Sequence, residues 1–150
     1  MVFQLPAERL LIKEIIFPAL KDGKVVICDR FSDATVAYQG YGRGLPCKEV
    51  ERLNMLAASG VVPNKTILLD LLPATGISRV IKRFNDRAGE KNRLDEEKIS
   101  FYERVRDGYL TLANLEPDRF IIIDASKDES LVSQEVWNAC KDLFQEKGIL

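Results

Sequence analysis

The sequence contains no histidine and few cysteines, and each shortage excludes a class of chemistry. Without histidine, a His-activated nucleophile and His metal ligands are both excluded. Cys28, Cys47 and Cys140 are odd in number and lie far apart with no C-x-x-C pair, so we expect neither structural disulfides nor a zinc site. Catalysis in this chain would therefore depend on carboxylates, arginine, lysine, hydroxyl groups and a bound metal.

Long apolar runs and an excess of one charge are also absent. The 150 residues include 22 Lys and Arg against 23 Asp and Glu, which gives a net charge of −1 and no electrostatic basis for binding nucleic acid or an anionic membrane. No run is long and apolar enough to span a bilayer. We therefore expect a cytoplasmic protein without a nucleic-acid or membrane partner.

Three short runs are apolar almost throughout, and each ends in an aspartate. They are VVICD (25–29), TILLD (66–70) and FIIID (120–124). Such runs favour strands that are covered on both faces of a parallel sheet. Helical patterns occupy residues 6–22, 46–59, 74–84, 95–115 and 129–147. In the first of them, Pro18 is expected to kink or end the helix early. The alternation predicts a single α/β domain over residues 1–150.

The three aspartates at the strand ends are candidates for a binding site. In parallel sheets, ligands bind beyond the carboxyl ends of the strands, where Asp29, Asp70 and Asp124 would face one region. An aspartate also commonly starts the turn after a strand, and for any one of them this is the simpler interpretation. The residue after Asp29 favours a site, because Arg30 can grip a phosphate in a planar fork while the carboxylate holds a metal-bound water or accepts a proton.

The polar residues after Arg30 suit a nucleoside ligand. Thr35, Tyr38 and Gln39 supply a hydroxyl group, an aromatic ring and an amide, which can hydrogen-bond a sugar and a base edge. The glycines of QGYGRGL (39–45) let the backbone approach its surroundings closely. An ordinary polar loop over a tucked tyrosine is the alternative, and the residues alone leave both interpretations open.

The motifs in this region resemble those of a known family. PALKDGKVVICDRFSDATVAYQGYGRGL (18–45) resembles the segment of bacterial thymidylate kinases that carries P-A-L, D-R-[FYH], A-Y-Q-G and G-R-G. ASGVVPNKTILLDLLPATGISR (58–79) and NRLDEEKISFYERVRDGYLTLANLEPDRFIIIDAS (92–126) resemble later segments of the same family in order. The resemblance implies an α/β fold like that of P-loop nucleoside monophosphate kinases, with a three-layer parallel sheet and flanking helices. It also implies transfer of the ATP γ-phosphoryl group to thymidine monophosphate, giving the diphosphate, with Mg²⁺.

The resemblance also implies roles for single residues. Asp29 matches the acidic residue near the metal and the acceptor phosphate, and Arg30 matches the arginine that binds this phosphate. Tyr38 matches the tyrosine that helps to reject a ribose 2′-hydroxyl. The other substrate-binding residues implied are Arg9 at the thymine edge, and Thr35 and Gln39 beside the base and deoxyribose.

The basic stretch 79–93 takes the place of the family's lid, whose arginines close over the ATP phosphates. Arg79, Arg83 and Arg87 share one face if the stretch is helical, and Arg93 is the best aligned, so we assign Arg93 to catalysis with Asp29 and Arg30. Mobile arginines suit phosphoryl transfer, which depends on positioning and on neutralising charge. The alternative is a solvated helix face with i,i+4 charge pairs.

A phosphate-cradling loop of the form G-x-x-x-x-G-K-[ST] is absent from the sequence, because the only Gly-Lys pair, Gly23-Lys24, is followed by valine. By the resemblance, the first strand, this loop, the first helix and the next strand would precede Met1. We therefore expect an N-terminally truncated gene model or a fragment of a longer kinase. In that case the strands ending at Asp29 and Asp70 would pair directly, or another chain would fill the gap.

Three functions are open at this point. The first is a thymidylate kinase acting on ATP and thymidine monophosphate, with its donor-phosphate loop outside this chain, so that the chain alone would be incomplete or inactive. The second is a non-catalytic remnant that holds a monophosphate, and the third is a kinase for another nucleoside monophosphate. The A-Y-Q-G and R-V-R matches favour the first over the third. The resemblance also implies a homodimer.

Overall fold

The computed structural model describes residues 10–84, 94–146 and 148, with the side chains of residues 81, 83–84, 94–98 and 146 outside that description. The chain divides into two compact units, one ending at Pro63 and the other beginning at Asn64. The single domain over residues 1–150 stays a prediction. Among the helices that the structure describes, none combines the length and the apolar character needed to cross a membrane.

In the first unit, the described residues start in a helix of two types. A π-helical segment, Ile12–Ile16, leads directly into α1, Phe17–Lys21. Pro18 does not end this helix, which continues to Lys21, while the alternative expectation of a kink stays a prediction. Pro18 lies in the first turn of the α-helical part, where a missing N–H and a fixed φ are tolerated.

The strand predicted for VVICD (25–29) is not formed. Residues 24–28 carry no regular secondary structure and residues 29–30 form a bend. The sheet within the described residues has two strands, so direct pairing of a strand ending at Asp29 with the strand ending at Asp70 is not formed either. Ile27 is 89% exposed. Apolar β-branched residues favour a strand only where neighbours pair and cover them, and Ile27 lacks this cover.

Two further helical stretches follow in the first unit. The single turn α2, Ser32–Thr35, continues into a π-helical segment, Val36–Gly42. A polar loop is one of the two interpretations of this stretch from the sequence, and the structure has a helix there. The helix predicted over residues 46–59 is confirmed as α3, Cys47–Ala57, which follows Pro46 as its N-cap. The chain leaves α3 through Gly60, whose φ of +80° suits glycine.

The second unit contains a parallel sheet of two strands. β1, Thr66–Asp70, pairs with β2, Phe120–Asp124, in a register that places Asp70 opposite Asp124. The connection between them contains α4, Pro73–Phe84, and α5, Leu94–Leu115, because parallel strands require a crossover. α6, Glu129–Glu146, follows β2. These two strands and three helices confirm the sequence predictions.

Each unit has its own apolar core. In the first unit, Val26, Phe31 and Val61 pack against a buried cluster of Ile12, Ile16 and Ala58. In the second unit, the buried residues include Val105, Leu112, Ala113, Phe120 and Ile123. Leu69 and Ile122 are 51% and 49% exposed, so the two strands are less covered than their apolar runs predict.

Candidate functional site

A cavity of about 350 Å³ in the first unit is lined by several of the residues predicted to bind the monophosphate. The predicted site residues that line it are Asp29, Arg30, Thr35, Tyr38 and Gln39. An apolar wall is supplied by Leu11, Ile12, Phe31, Ala34, Ala57 and Ala58. The cavity therefore combines a cation, a carboxylate and neutral hydrogen-bonding groups with an apolar surface, which is typical of small-molecule sites.

Helical geometry explains why three of these residues share the cavity. Thr35 ends α2, and Tyr38 and Gln39 lie in the π-helical segment that continues it. Residues three and four apart lie on the same face of a helix, so Thr35 shares a face with the other two. The segment is anchored by the buried residues Val36 and Ala37. The structure thus brings these side chains together on a regular element.

Arg30 reaches the cavity from the bend after residues 24–28. Its φ is +63°, in the left-handed region that non-glycine residues rarely adopt. Its guanidinium carbon lies 5.2 Å from the centroid of the Tyr38 ring, within the range of a cation–π contact. Backbone strain of this kind is common at functional sites, where the surrounding structure holds it in place.

Two polar contacts stabilise the helices around the cavity. Asn54, which is only 8% exposed, donates a hydrogen bond from Nδ2 to the backbone oxygen of Ser32 at 2.9 Å. Arg43 donates from Nη1 to Oε1 of Gln39 at 3.1 Å. Asn54 is not among the residues that the sequence predicts for the site. The signal was its spacing in α3, since Asn54 lies between the buried residues Val50 and Ala57 on one helix face.

Gly40 allows the two helical segments of this unit to approach closely. A Cβ atom at this position would lie 2.8 Å from Sγ of Cys47. The prediction that glycines permit close backbone approach in residues 39–45 is therefore confirmed for Gly40, although its close neighbour is a residue of α3.

At the ends of the strands in the second unit, Asp70 is held by an arginine from α5. Arg106 donates from Nε to Oδ1 of Asp70 at 2.6 Å and from Nη2 to Oδ2 at 2.7 Å. Hydrogen bonding to Asp70 raises the pKa of Arg106 above its ordinary value. This role of Arg106 is not predictable from the sequence around it, because nothing local to position 106 indicates a carboxylate partner 36 residues away.

Three sets of hydrogen bonds stabilise the turn after β2. Asp124 accepts a hydrogen bond at Oδ1 from the backbone N–H of Ser126 at 2.8 Å. Its bonds with the Ser126 side chain and backbone lower the pKa of Asp124. Arg79 donates from Nη1 to the Ala125 oxygen at 2.9 Å and from Nη2 to the Ser126 oxygen at 3.1 Å. The Ala125 N–H in turn donates to the backbone oxygen of Asp70 at 2.8 Å.

These contacts place Arg79 on a backbone turn, while its predicted contact with ATP phosphates stays a prediction. Arg9, Arg87 and Arg93 lie outside the described residues, as does the side chain of Arg83. Their roles in substrate binding, the lid and catalysis stay predictions.

Asp29 is the predicted metal ligand. In the described part of the chain, no three carboxylate or thiol side chains come together as a metal-binding group. Mg²⁺ usually binds through one or two carboxylates together with substrate phosphates and water, so a partial protein site is sufficient. The exposed carboxylate of Asp29, which lines the cavity beside Arg30, fits such a site.

The structure defines an α/β protein with a parallel sheet. It also contains a cavity whose lining combines polar and apolar side chains, as in small-molecule sites. Comparison with known proteins identifies the family. The thymidylate kinase family model matches residues 1–136, and the chain belongs to the thymidylate kinase family. Its membership implies the fold of P-loop nucleoside monophosphate kinases, with which the helices and the parallel sheet are consistent.

Individual relatives agree with this assignment. A thymidylate kinase of Solidesulfovibrio magneticus is 50% identical over 136 residues, covering 89% of this chain and 65% of that protein. A thymidylate kinase of Bacillus licheniformis is 45% identical over 143 residues, covering 95% and 66%. One from Deinococcus radiodurans is 39% identical over 132 residues, covering 88% and 62%. The chain thus spans less than two thirds of the length of these curated relatives.

Proposed function

We propose that this chain serves as a thymidylate kinase, which transfers the γ-phosphoryl group of ATP to thymidine monophosphate. The observation that carries the proposal is the cavity in which Asp29, Arg30, Thr35, Tyr38 and Gln39 lie together. The relatives named as thymidylate kinases support the choice of substrate.

The cavity residues can be given distinct tasks. The Arg30 guanidinium takes the acceptor phosphate through a planar pair of hydrogen bonds. Thr35 and Gln39 offer a hydroxyl and an amide to the nucleoside, and the apolar wall packs against it. Asp29 would help to hold Mg²⁺, which when bound offsets negative charge on the phosphate oxygens. The arginines of residues 79–93 would bind the phosphates of ATP; these are Arg79, Arg83, Arg87 and Arg93.

Binding and turnover test the proposal separately. Isothermal titration calorimetry with the full chain measures the affinity for thymidine, uridine and cytidine monophosphates, and a coupled assay measures ADP release with each. We expect thymidine monophosphate to bind most tightly and to support the fastest ADP release. Preference for another base contradicts the proposed substrate, whereas binding without ADP release contradicts the proposed catalysis.

A matched pair of arginine variants tests the phosphate contact. Arg30→Ala should weaken binding of thymidine monophosphate by about ten- to a hundredfold, because a hydrogen bond to a charged group contributes about 1.5–3 kcal/mol. Arg52→Ala removes an exposed arginine of α3 outside the cavity lining and should leave the affinity unchanged. Equal affinities for the two variants would contradict the assignment of Arg30.

We further propose that the protein acts in the cytoplasm as a homodimer. The support for an assembly is the exposure of large apolar side chains on the first helix, where Leu10 and Ile15 are 56% and 60% exposed. Light scattering after size-exclusion chromatography measures the mass in solution, and the mass of a monomer at all concentrations would contradict the dimer.

A further inference from the structure

The contact between Arg30 and Tyr38 joins two residues that differ in how firmly their backbones are held. Tyr38 lies in the π-helical segment Val36–Gly42, with Val36, Ala37 and Gly40 of that segment buried. Arg30 lies in a bend outside any helix or strand. The ring of Tyr38 is therefore the fixed partner, and the guanidinium of Arg30 takes its place relative to it.

Arg30 is constrained at both ends of its side chain. Its left-handed φ of +63° sets the direction in which the side chain leaves the backbone. At the other end, the guanidinium carbon lies 5.2 Å from the Tyr38 centroid. An arginine side chain in solution samples many rotamers, and binding a phosphate would require most of them to be given up. Contact with an aromatic face fixes the guanidinium before the ligand arrives.

We infer that Tyr38 is a positioning residue, which holds the Arg30 guanidinium over its ring in the place where Arg30 takes the phosphate of the nucleoside monophosphate. This inference rests on the proposed function. It gives Tyr38 a task that is distinct from any contact with the sugar or the base. Its consequence is that Tyr38 contributes to the affinity gained when a nucleoside acquires a phosphate, and that this contribution requires Arg30.

The measured quantity is the ratio of the dissociation constant for thymidine to that for thymidine monophosphate. Any direct contact of Tyr38 with the nucleoside affects both constants and cancels in the ratio. Tyr38→Leu should lower the ratio by about two- to fivefold, the range expected for an exposed cation–π contact. Tyr38→Phe retains the aromatic face and should leave the ratio unchanged. Tyr41→Leu, in the same helical segment but outside the cavity lining, is the control and should also leave it unchanged.

A double-mutant cycle tests whether the effect passes through Arg30. In an Arg30→Ala background, Tyr38→Leu should no longer change the ratio. Tyr38→pentafluorophenylalanine keeps the ring shape but reverses its charge distribution, so it should lower the ratio even if Tyr38→Leu fails to fold, as judged by circular dichroism.

The outcomes separate this inference from the function on which it rests. If the chain binds thymidine monophosphate better than thymidine but neither Tyr38→Leu nor the fluorinated ring lowers the ratio, the positioning role is overturned while the kinase proposal stands. If the wild-type chain gains no affinity from the phosphate, the proposed phosphate site and the positioning role both fail. If another monophosphate binds best, the proposed substrate fails, and the ratio measured with that nucleotide and its nucleoside decides the role of Tyr38.

Discussion

Arg106 binds both carboxylate oxygens of Asp70, with Nε 2.6 Å from Oδ1 and Nη2 2.7 Å from Oδ2. The side chains are 30% and 22% exposed, so solvent screens this pair less than a surface ion pair. The contact joins α5 to the carboxyl end of β1, the end of a parallel strand where ligands usually bind. It also commits both oxygens of Asp70 to a structural contact.

Removing the charge of Asp70 should destabilise the second unit. Asp70→Asn leaves the Arg106 guanidinium with a neutral and poorly matched partner, and we expect the free energy of unfolding to fall by about 1–3 kcal/mol. Urea unfolding followed by the fluorescence of Trp137, the only tryptophan in the chain, reports on this unit. Asp142→Asn changes an exposed carboxylate of α6 and should shift the value by less than about 0.5 kcal/mol.

A double-mutant cycle isolates the pair itself. Arg106→Met should cost a similar amount, and combining it with Asp70→Asn should cost less than the sum of the two single changes. Additive effects would show that the ion pair contributes nothing beyond the two separate side chains.

Loss of Arg79 should loosen the turn after β2. Arg79→Met removes the donors to the backbone oxygens of Ala125 and Ser126, so the amide hydrogens of residues 125–127 should exchange faster with solvent. Lys82→Met removes an exposed cation from the same helix and should leave this exchange unchanged. Exchange at residues 125–127 that is equal in both variants would contradict the role of Arg79 in holding the turn.

Gly40→Ala should destabilise the first unit even though alanine favours helices over glycine by about 1 kcal/mol. The added methyl group would lie 2.8 Å from Sγ of Cys47, and overpacking of this kind costs about 1–3 kcal/mol. In a Cys47→Ala background the sulfur is absent, so Gly40→Ala should become neutral or stabilising. Hydrogen exchange of the α3 amides measures both effects, and the same loss in both backgrounds would exclude the sulfur as the cause.

The pKa of Asp124 should depend on Ser126. The side-chain hydrogen bond with Ser126, followed by that with its backbone, lowers this pKa from its ordinary value of 3.8. Ser126→Ala should therefore raise it, and carboxyl-carbon NMR titration measures the change. Ser130→Ala, an exposed serine of α6, should leave the pKa in place.

The contribution of Asp124 to the stability of the folded protein should depend on pH. Because the folded pKa of Asp124 is below the unfolded value, its contribution to stability is present in full above the unfolded value and is lost as the pH falls through the folded pKa. In Ser126→Ala the folded pKa lies nearer the unfolded value, so this contribution should be smaller and its loss should be complete at a higher pH. An Asp124 titration that is identical in the two proteins would contradict this account.

Local sequence patterns were sufficient for the regular elements of the second unit. The apolar runs at 66–70 and 120–124 and the helical spacing between and after them predict two parallel strands and three helices, all of which are formed. The same logic failed at residues 25–29, because an apolar run does not specify whether strands will lie beside it. Ile27, at 89% exposed, shows that the composition of a run does not by itself bury it.

The sequence by itself determined the family and predicted polar residues of the cavity lining, since both depend on residue types in a fixed order along a short stretch. These predicted lining residues are Asp29, Arg30, Thr35, Tyr38 and Gln39. Only the tertiary structure decided that Arg30 adopts a left-handed φ beside the Tyr38 ring, that Arg106 binds Asp70, and that Arg79 holds the turn after β2. The ion pair and the turn contact join residues 36 and 46 positions apart. Such partners are chosen by the distances that packing creates, and these distances are not encoded in the periodicity of any one segment.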